Sequence, residues 1–188
     1  MSRTMLVLIL MIYILLAGCF IQSLNPLHTR ETVVFDSKLI GTWYSAEDDD
    51  EEWTFEKANE NEYTLIGRLN DEGTKEAKFE AYLVQLDNQL YLDIYPKDLD
   101  QMPDIYREHL IPVHTFLKFR RDEDFLVTQS IDYDLFNDLM SKEETPISFI
   151  KLKDRLLLTA STDELQKFFI ENGEATIFQS PDTLSRKN

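Results

Sequence analysis

Cysteine is almost absent from this chain of 188 residues, which contains only Cys19. A single thiol excludes a disulfide within the chain, although small exported domains often depend on disulfides for stability. The fold must therefore be stabilised by its hydrophobic core. The 170 residues from Cys19 onward are enough for one domain with a sizeable core.

Glycine, proline and basic residues are also scarce. The chain has five Gly and six Pro, so it contains no low-complexity stretch, and 19 Lys plus Arg stand against 35 Asp plus Glu. The net charge of −16 repels the nucleic-acid backbone and an anionic bilayer alike. We therefore expect no nucleic-acid partner. The acidic run at 47–52 lacks the spacing of a calcium loop and is interpreted as a solvated hairpin connection.

Known catalytic motifs are missing as well. The sequence contains no Gly-rich phosphate loop, no His-Glu-x-x-His and no Gly-x-Ser-x-Gly. The three histidines, His28, His109 and His114, do not have the spacing of a shared metal site. We expect no enzyme activity, no cofactor and no metal. A hydrolase with residues dispersed over several strands stays open as an alternative, which would require His114 to meet a carboxylate in a pocket.

The N-terminus has the pattern of a secretory signal peptide. Arg3 precedes an apolar run at 5–16, which ends in the small residues Ala17 and Gly18. The run is shorter than the roughly 20 residues that a spanning helix needs. An uncleaved anchor, or a plain signal followed by an incidental cysteine, is the alternative interpretation.

The sequence Leu16-Ala17-Gly18-Cys19 resembles the signal of bacterial lipoproteins. The resemblance implies cleavage before Cys19 and acylation of that residue, and two or more acyl chains hold a protein stably on a membrane. Phe20 rather than Asp follows the cysteine, which by the same resemblance implies the outer membrane of a Gram-negative cell. The expected partner is thus a membrane, bound through the N-terminal lipid in the cell envelope.

Period-two alternation of apolar side chains begins at Leu39 and predicts consecutive strands. The predicted strands are 39–46, 51–57, 62–69, 77–86, 89–95, 111–120, 125–131, 148–152, 155–160 and 175–179. A short helix is expected at 134–141, and a second helix begins at Ser161, where Glu164 completes a capping box. Consecutive strands must hide their edges, and closure into a barrel removes them. The prediction is a mainly β protein, an antiparallel up-and-down barrel of about eight to nine strands with a C-terminal and a short inserted helix.

The domain organisation follows from these patterns. Residues 1–18 form the signal peptide, 19–35 a lipidated tether, 36–180 the barrel and 181–188 a loose tail. The tether is expected to pack onto the barrel at most near Val33, Val34 and Phe35.

Gly41-Thr42-Trp43, at the start of the first barrel strand, resembles the Gly-x-Trp motif of lipocalins, and the order of strands, helix and short last strand is similar. The resemblance implies that Trp43 packs across the closed end of the barrel. The lipocalin Thr-Asp-Tyr motif is not present, since Ser130-Ile131-Asp132-Tyr133 is only distantly similar. Arg155 is the candidate for the arginine that stacks on the tryptophan in that family.

A candidate ligand pocket is formed by Trp43, Tyr91, Asp93, Tyr95 and His114. Tyr91, Asp93 and Tyr95 share one strand face; if it lines the barrel, its rings and carboxylate suit a cationic or hydroxylated ligand. If that face meets water, the three residues have no such role. His114 is either a hydrogen-bonded structural histidine or a ligand-binding group. The predicted function is a membrane-anchored lipoprotein whose barrel binds a small, partly apolar ligand. The alternative is a structural or interaction lipoprotein of the envelope.

Overall fold

The computed structural model describes residues 21–45, 51–69, 75–99, 102–141, 147–152, 155–173 and 177–186. The predicted signal peptide and Cys19 lie outside these residues and stay predictions. The strands are β1 (Gln22–Ser23), β2 (Val33–Val34), β3 (Gly41–Ser45), β4 (Glu51–Lys57), β5 (Tyr63–Leu69), β6 (Lys75–Leu86), β7 (Gln89–Pro96), β8 (His114–Arg121), β9 (Phe125–Ser130), β10 (Phe149–Lys151), β11 (Leu156–Leu158) and β12 (Asp182–Arg186). The helices are α1 (Asp104–Arg107), α2 (Tyr133–Ser141) and α3 (Thr162–Asn172). None of the helices in the described ranges is long and apolar enough to cross a bilayer.

Eight strands close into an antiparallel barrel. Strands β3 to β9 pair in sequence order, and β12 closes the ring by pairing with both β9 and β3. The predicted fold class is confirmed: the protein is mainly β, with a closed barrel, a C-terminal helix and a short inserted helix. The capping box of α3 is present: the backbone N–H of Glu164 donates to Oγ of Ser161, and the backbone N–H of Ser161 donates to Oε2 of Glu164.

The prediction of a loose tail at 181–188 is wrong for its described part, because 182–186 forms the strand that closes the barrel. Leu184 is buried and pairs with Ser45 on one side and Leu126 on the other. The strand has only one apolar residue, so its sequence shows no alternation to detect. The strand predicted at 175–179 is reduced in the described residues to a single bridge between Ile131 and Phe178.

The prediction of a tether is also wrong for residues 21–32, which belong to the folded domain, whereas the expected packing of Val33, Val34 and Phe35 onto the barrel is confirmed. Strand β1 pairs with β8 and with β11, and β2 pairs with β6. Leu27 is fully buried between them. Two-residue strands separated by turns bury isolated side chains, and such a segment carries no periodicity that a sequence pattern could reveal.

Two separate hydrophobic cores result from this arrangement. One fills the closed end of the barrel and includes Trp43, Phe55, Tyr63, Leu92 and Leu126. The other lies outside the barrel wall, where β1, β10, β11, α2 and α3 cover the outer faces of β6, β7 and β8; it includes Tyr91, Phe116, Phe136, Phe168 and Phe169. Strand β7 therefore has apolar neighbours on both of its faces.

The Gly-x-Trp motif closes one end of the barrel. Gly41 has a φ of 129°, which a side chain would strain. The indole N–H of Trp43 donates to the carbonyl oxygen of Leu39 at 2.9 Å. The arginine that stacks on this tryptophan is Arg186 on β12, and the prediction that Arg155 would do so is wrong. Arg155 reaches Gln22 instead, because β11 lies outside the ring of eight strands.

Candidate functional site

The barrel encloses a cavity of about 470 Å³ in the half opposite the Gly-x-Trp motif. We call the end at which it opens the mouth. The lining comes from every barrel strand except β3, with additions from β1 and from the segments around Ile131 and Gln179. Its residues are Gln22, Glu51, Trp53, Leu65, Gly67, Phe79, Ile94, Thr115, Leu117, Thr128, Ser130, Ile131, Gln179 and Asp182.

The cavity exists because small side chains point inward near the mouth. Gly67, Thr115, Thr128 and Ser130 occupy inward positions where bulky residues would fill the barrel. A β-carbon added at Gly67 would have no atom within 4 Å, so the space beside it is open. At the closed end the inward residues are large, and the interior is packed. Residue size thus divides one barrel into a packed half and a hollow half.

The lining is largely apolar and carries acidic but no basic groups among the described residues. Trp53, Phe79 and Ile94 provide the apolar walls. Glu51 and Asp182 are the two carboxylates, and Oε1 of Glu51 accepts a hydrogen bond from the indole N–H of Trp53 at 2.9 Å. Such a surface suits an apolar molecule whose polar group is neutral or positively charged, and it disfavours an anionic group.

None of the five residues predicted for the ligand pocket lines this cavity. Trp43 is buried at the closed end, whereas Tyr91, Asp93 and Tyr95 lie on the outer face of β7 and His114 lies on the outer face of β8. The inward residues of these strands are Leu90, Leu92 and Ile94 on β7, and Thr115, Leu117 and Phe119 on β8. Both faces of β7 are apolar in sequence, so alternation alone could not decide which face is inside.

The residues that do line the cavity left a weak signal in the sequence. Gly67 interrupts a run of strand-forming residues, and a glycine inside a strand often marks space or close approach. Thr115, Leu117 and Phe119 are spaced two residues apart and therefore share one face of β8, which has a polar residue near its beginning. Neither signal predicts a cavity without the barrel topology.

Asp93 is instead the centre of a buried cluster behind the barrel wall. Its side chain is fully buried. Oδ1 lies 2.8 Å from Nδ1 of His114, and Oδ2 lies 2.7 Å from Nδ1 of His28. The backbone N–H of Leu27 donates to Oδ2 at 2.9 Å. The predicted polar residue is therefore joined to a segment that the sequence pattern assigned to a tether.

The hydrogen bonds decide the ionisation state of Asp93. Burial by itself raises the pKa of the carboxyl, but the bonds from His114 and His28 outweigh it and hold the pKa below the ordinary value of 3.8. The ionised carboxylate only accepts hydrogen bonds, so both Nδ1 atoms carry hydrogens. The ring of His28 also stacks on Tyr82 with centroids 3.9 Å apart. Asp93 thus holds 27–28 against the outer faces of β7 and β8.

A hydrolase would require His114 to meet a carboxylate in a pocket, and the structure fulfils this requirement only in part. His114 does meet a carboxylate, but neither His114 nor Asp93 belongs to the cavity lining. Within the part of the chain that the structure describes, no group of three or more His, Cys, Asp or Glu side chains is arranged to hold a metal ion. The geometry of the Asp93 cluster is that of a connection between segments.

Comparisons with protein-family models, with curated proteins and with solved structures found no match to this chain.

Proposed function

We propose that this protein is a membrane-anchored binding protein that holds one small, partly apolar ligand in its barrel. The observation that carries the proposal is the hollow half of the barrel, with its apolar walls and few polar groups. Its volume lies in the range of small-molecule sites, which is about 300–1,000 Å³. Eight-stranded barrels are wide enough to hold one small ligand when side chains do not fill them.

The lining defines the chemical class of the ligand. Glu51 and Asp182 place negative charge at the cavity, and no described lining residue is basic. A carboxylate, sulfate or phosphate group on the ligand would have no charged partner there and would lose its hydration. The ligand therefore carries an apolar body with a neutral or cationic polar group.

The membrane anchor in this proposal is Cys19, carrying the lipid that the lipoprotein-like signal implies. The support for it is the sequence Leu16-Ala17-Gly18-Cys19, and Ile21, two residues after the cysteine, is already buried in the folded domain. Acylation would be tested by mass spectrometry of the protein from a bacterial membrane. An unmodified Cys19, or cleavage at another position, would exclude this part of the proposal.

Filling the cavity tests the binding function. Gly67→Leu places a large side chain in the open space, and Glu56→Leu adds the same side chain on the exposed outer face of β4. We expect Gly67→Leu to weaken binding of the neutral fluorescent dye N-phenyl-1-naphthylamine at least tenfold and Glu56→Leu to leave it unchanged. Equal affinity of all three proteins would contradict binding in the barrel and would favour the structural or interaction lipoprotein.

Competition with charged amphiphiles tests the ligand class. Dodecyltrimethylammonium and dodecyl sulfate share an alkyl chain and differ in charge, so the two carboxylates should make the cation the better competitor for the dye. The double variant Glu51→Gln, Asp182→Asn should remove this preference. Stronger competition by dodecyl sulfate in the unaltered protein would contradict the inferred preference.

A further inference from the structure

Exposed apolar side chains are concentrated in the connection between β7 and β8. Met102, Ile105, Tyr106, Leu110 and Ile111 all lie in it, and Ile105 and Ile111 are 67% and 74% exposed. We call residues 102–113 the apolar connection. Single exposed apolar residues are ordinary, but five within ten positions mark a contact surface.

The apolar connection lies at the mouth of the cavity. It leaves the barrel after β7 and returns at β8, and Ile94 and Thr115, which pair across these strands, both line the cavity. Gln22 pairs with Thr115 and lines the cavity too. Mouth and apolar connection are therefore at the same end of the same strands.

The proposed anchor is within short reach of this end, and because β1 runs antiparallel to β8 the chain before Gln22 leads away from the mouth along the outside of the barrel. Cys19 precedes Gln22 by three residues, and three residues of extended chain span at most about 11 Å. A lipid on Cys19 would therefore be attached within about 11 Å of Gln22, which lines the cavity near its mouth. With so short a link, the barrel cannot stand away from the membrane surface.

Charge is distributed unevenly around the mouth. Apart from His109, the apolar connection has three charged residues, Asp104, Arg107 and Glu108. Arg107 forms an ion pair with Asp104 at 2.6 Å, so the three together carry a single negative charge. The acidic run at 47–52 belongs instead to the β3–β4 connection and the start of β4, which is halfway round the ring from β8. The side of the mouth formed by the apolar connection is therefore apolar and nearly neutral, whereas Glu51 and Glu52 place acidic groups on the opposite side.

From these positions we infer that the apolar connection docks on the lipid bilayer, so that the mouth of the barrel opens at the membrane surface. This inference rests on the proposed lipid anchor and adds a defined orientation to it. Ile105 and Ile111 enter the interfacial region beside the acyl chains of Cys19. The acidic side tilts away, because an anionic bilayer repels it. Ligand would then exchange between the cavity and the bilayer without crossing open water.

Hydrogen exchange on the lipidated protein tests this orientation. In vesicles of phosphatidylcholine, the backbone amides of 102–113 should exchange at least fivefold more slowly in the unaltered lipidated protein than in the lipidated double variant Ile105→Asp, Ile111→Asp. The turn at 122–124, at the opposite end of the barrel, should exchange equally in both. Equal exchange of 102–113 in the two proteins would overturn the inference.

A matched variant separates docking from general loss of apolar surface. Phe125 is 48% exposed at the closed end, so Phe125→Asp should leave the protection of 102–113 intact. Both sets of variants should bind N-phenyl-1-naphthylamine in solution with unchanged affinity, because none of the replaced residues lines the cavity. Lost protection in Phe125→Asp would contradict docking through the apolar connection. Absence of dye binding in the unaltered protein would count against the binding function and not against the orientation.

Discussion

The guanidinium group of Arg186 lies 4.4 Å from the ring centre of Trp43 and links the last barrel strand to the first. Its Nη2 donates to the carbonyl oxygens of Lys38 at 2.6 Å and of Ile40 at 3.0 Å. The same group is 3.6 Å from where a β-carbon on Gly41 would lie. One side chain therefore fixes both the indole ring and the turn that leads into β3.

Replacing Arg186 should weaken this closure. Arg186→Ala removes the cation–π contact and two hydrogen bonds to backbone carbonyls, and we expect the free energy of unfolding to fall by about 1–3 kcal/mol. Urea denaturation measures the change. Arg120→Ala is the control, because Arg120 is exposed and its pair with Asp122 should contribute less than about 1 kcal/mol. Equal losses in the two variants would show that the contacts of Arg186 contribute no more than an exposed ion pair.

Truncation before β12 should prevent the barrel from forming. A chain that ends at Pro181 leaves the edges of β3 and β9 unpaired, and open edges pair with other chains. We expect loss of the cooperative unfolding transition and aggregation, measured by circular dichroism and light scattering. A chain that ends at Arg186 keeps β12 and should unfold as the full chain does. A monomeric, cooperatively folded product from the shorter chain would contradict the role of β12.

Asp93 should make stability depend on acid. Its pKa is lower in the folded state than its ordinary value of 3.8, so it stabilises the fold above that pH, and this contribution is lost as the pH falls through the folded-state value. Asp93→Asn should reduce the free energy of unfolding at pH 7 by about 1–3 kcal/mol, because the amide keeps one acceptor oxygen and places an NH2 donor against N–H groups that donate to the other carboxylate oxygen. Between about pH 5 and about pH 2, the variant should lose stability less steeply.

Urea unfolding over this pH range measures both effects of the Asp93 replacement. Asp122→Asn, on the exposed turn between β8 and β9, is the matched control and should keep the acid dependence of the unaltered protein. Hydrogen exchange of the amide of Leu27, which donates to Asp93, should become faster in Asp93→Asn alone. An unchanged acid slope in Asp93→Asn would show that the cluster does not govern acid stability.

Gly173 should not tolerate a side chain. A β-carbon there would lie 2.8 Å from the hydroxyl of Tyr91 and 2.9 Å from the carbonyl oxygen of Phe169. We expect Gly173→Ala to lower the stability by about 1–3 kcal/mol through overpacking of the outer core. Gly67→Ala is the control, since its β-carbon meets open space and an alanine suits a strand better than glycine. Equal melting temperatures of the two variants in thermal denaturation would contradict this prediction.

The sequence predicts the barrel well because its strands are long enough to show alternation. Strand β4 falls at 51–57 as predicted, and the capping box of Ser161 and Glu164 marks the start of α3 correctly. Strand β12 is missed because only Leu184 of its five residues is buried. Alternation reveals a face only when several side chains on it are alike.

The candidate site was harder to predict because it depends on which strand face is enclosed. Tyr91, Asp93 and Tyr95 are correctly grouped on one face, but Tyr91 and Asp93 are buried against a second core outside the barrel, which a period-two pattern cannot distinguish from the interior. Asp93 is joined to His28 across 65 residues of chain, a contact that local sequence does not encode. The cavity depends on inward residues such as Gly67, Thr128 and Ser130, whose small size is significant only once the ring is closed.

The pairing of β12 with β3 also determines when the molecule can be completed. The first strand of the ring pairs with the last one, so the ring cannot close until the chain through Arg186 has been synthesised. Until then β3 and β9 present open hydrogen-bonding edges, at the stage when neighbouring chains are most able to associate. The large negative charge keeps such unfinished chains apart. The hollow interior is thus complete only when β12 has joined the ring.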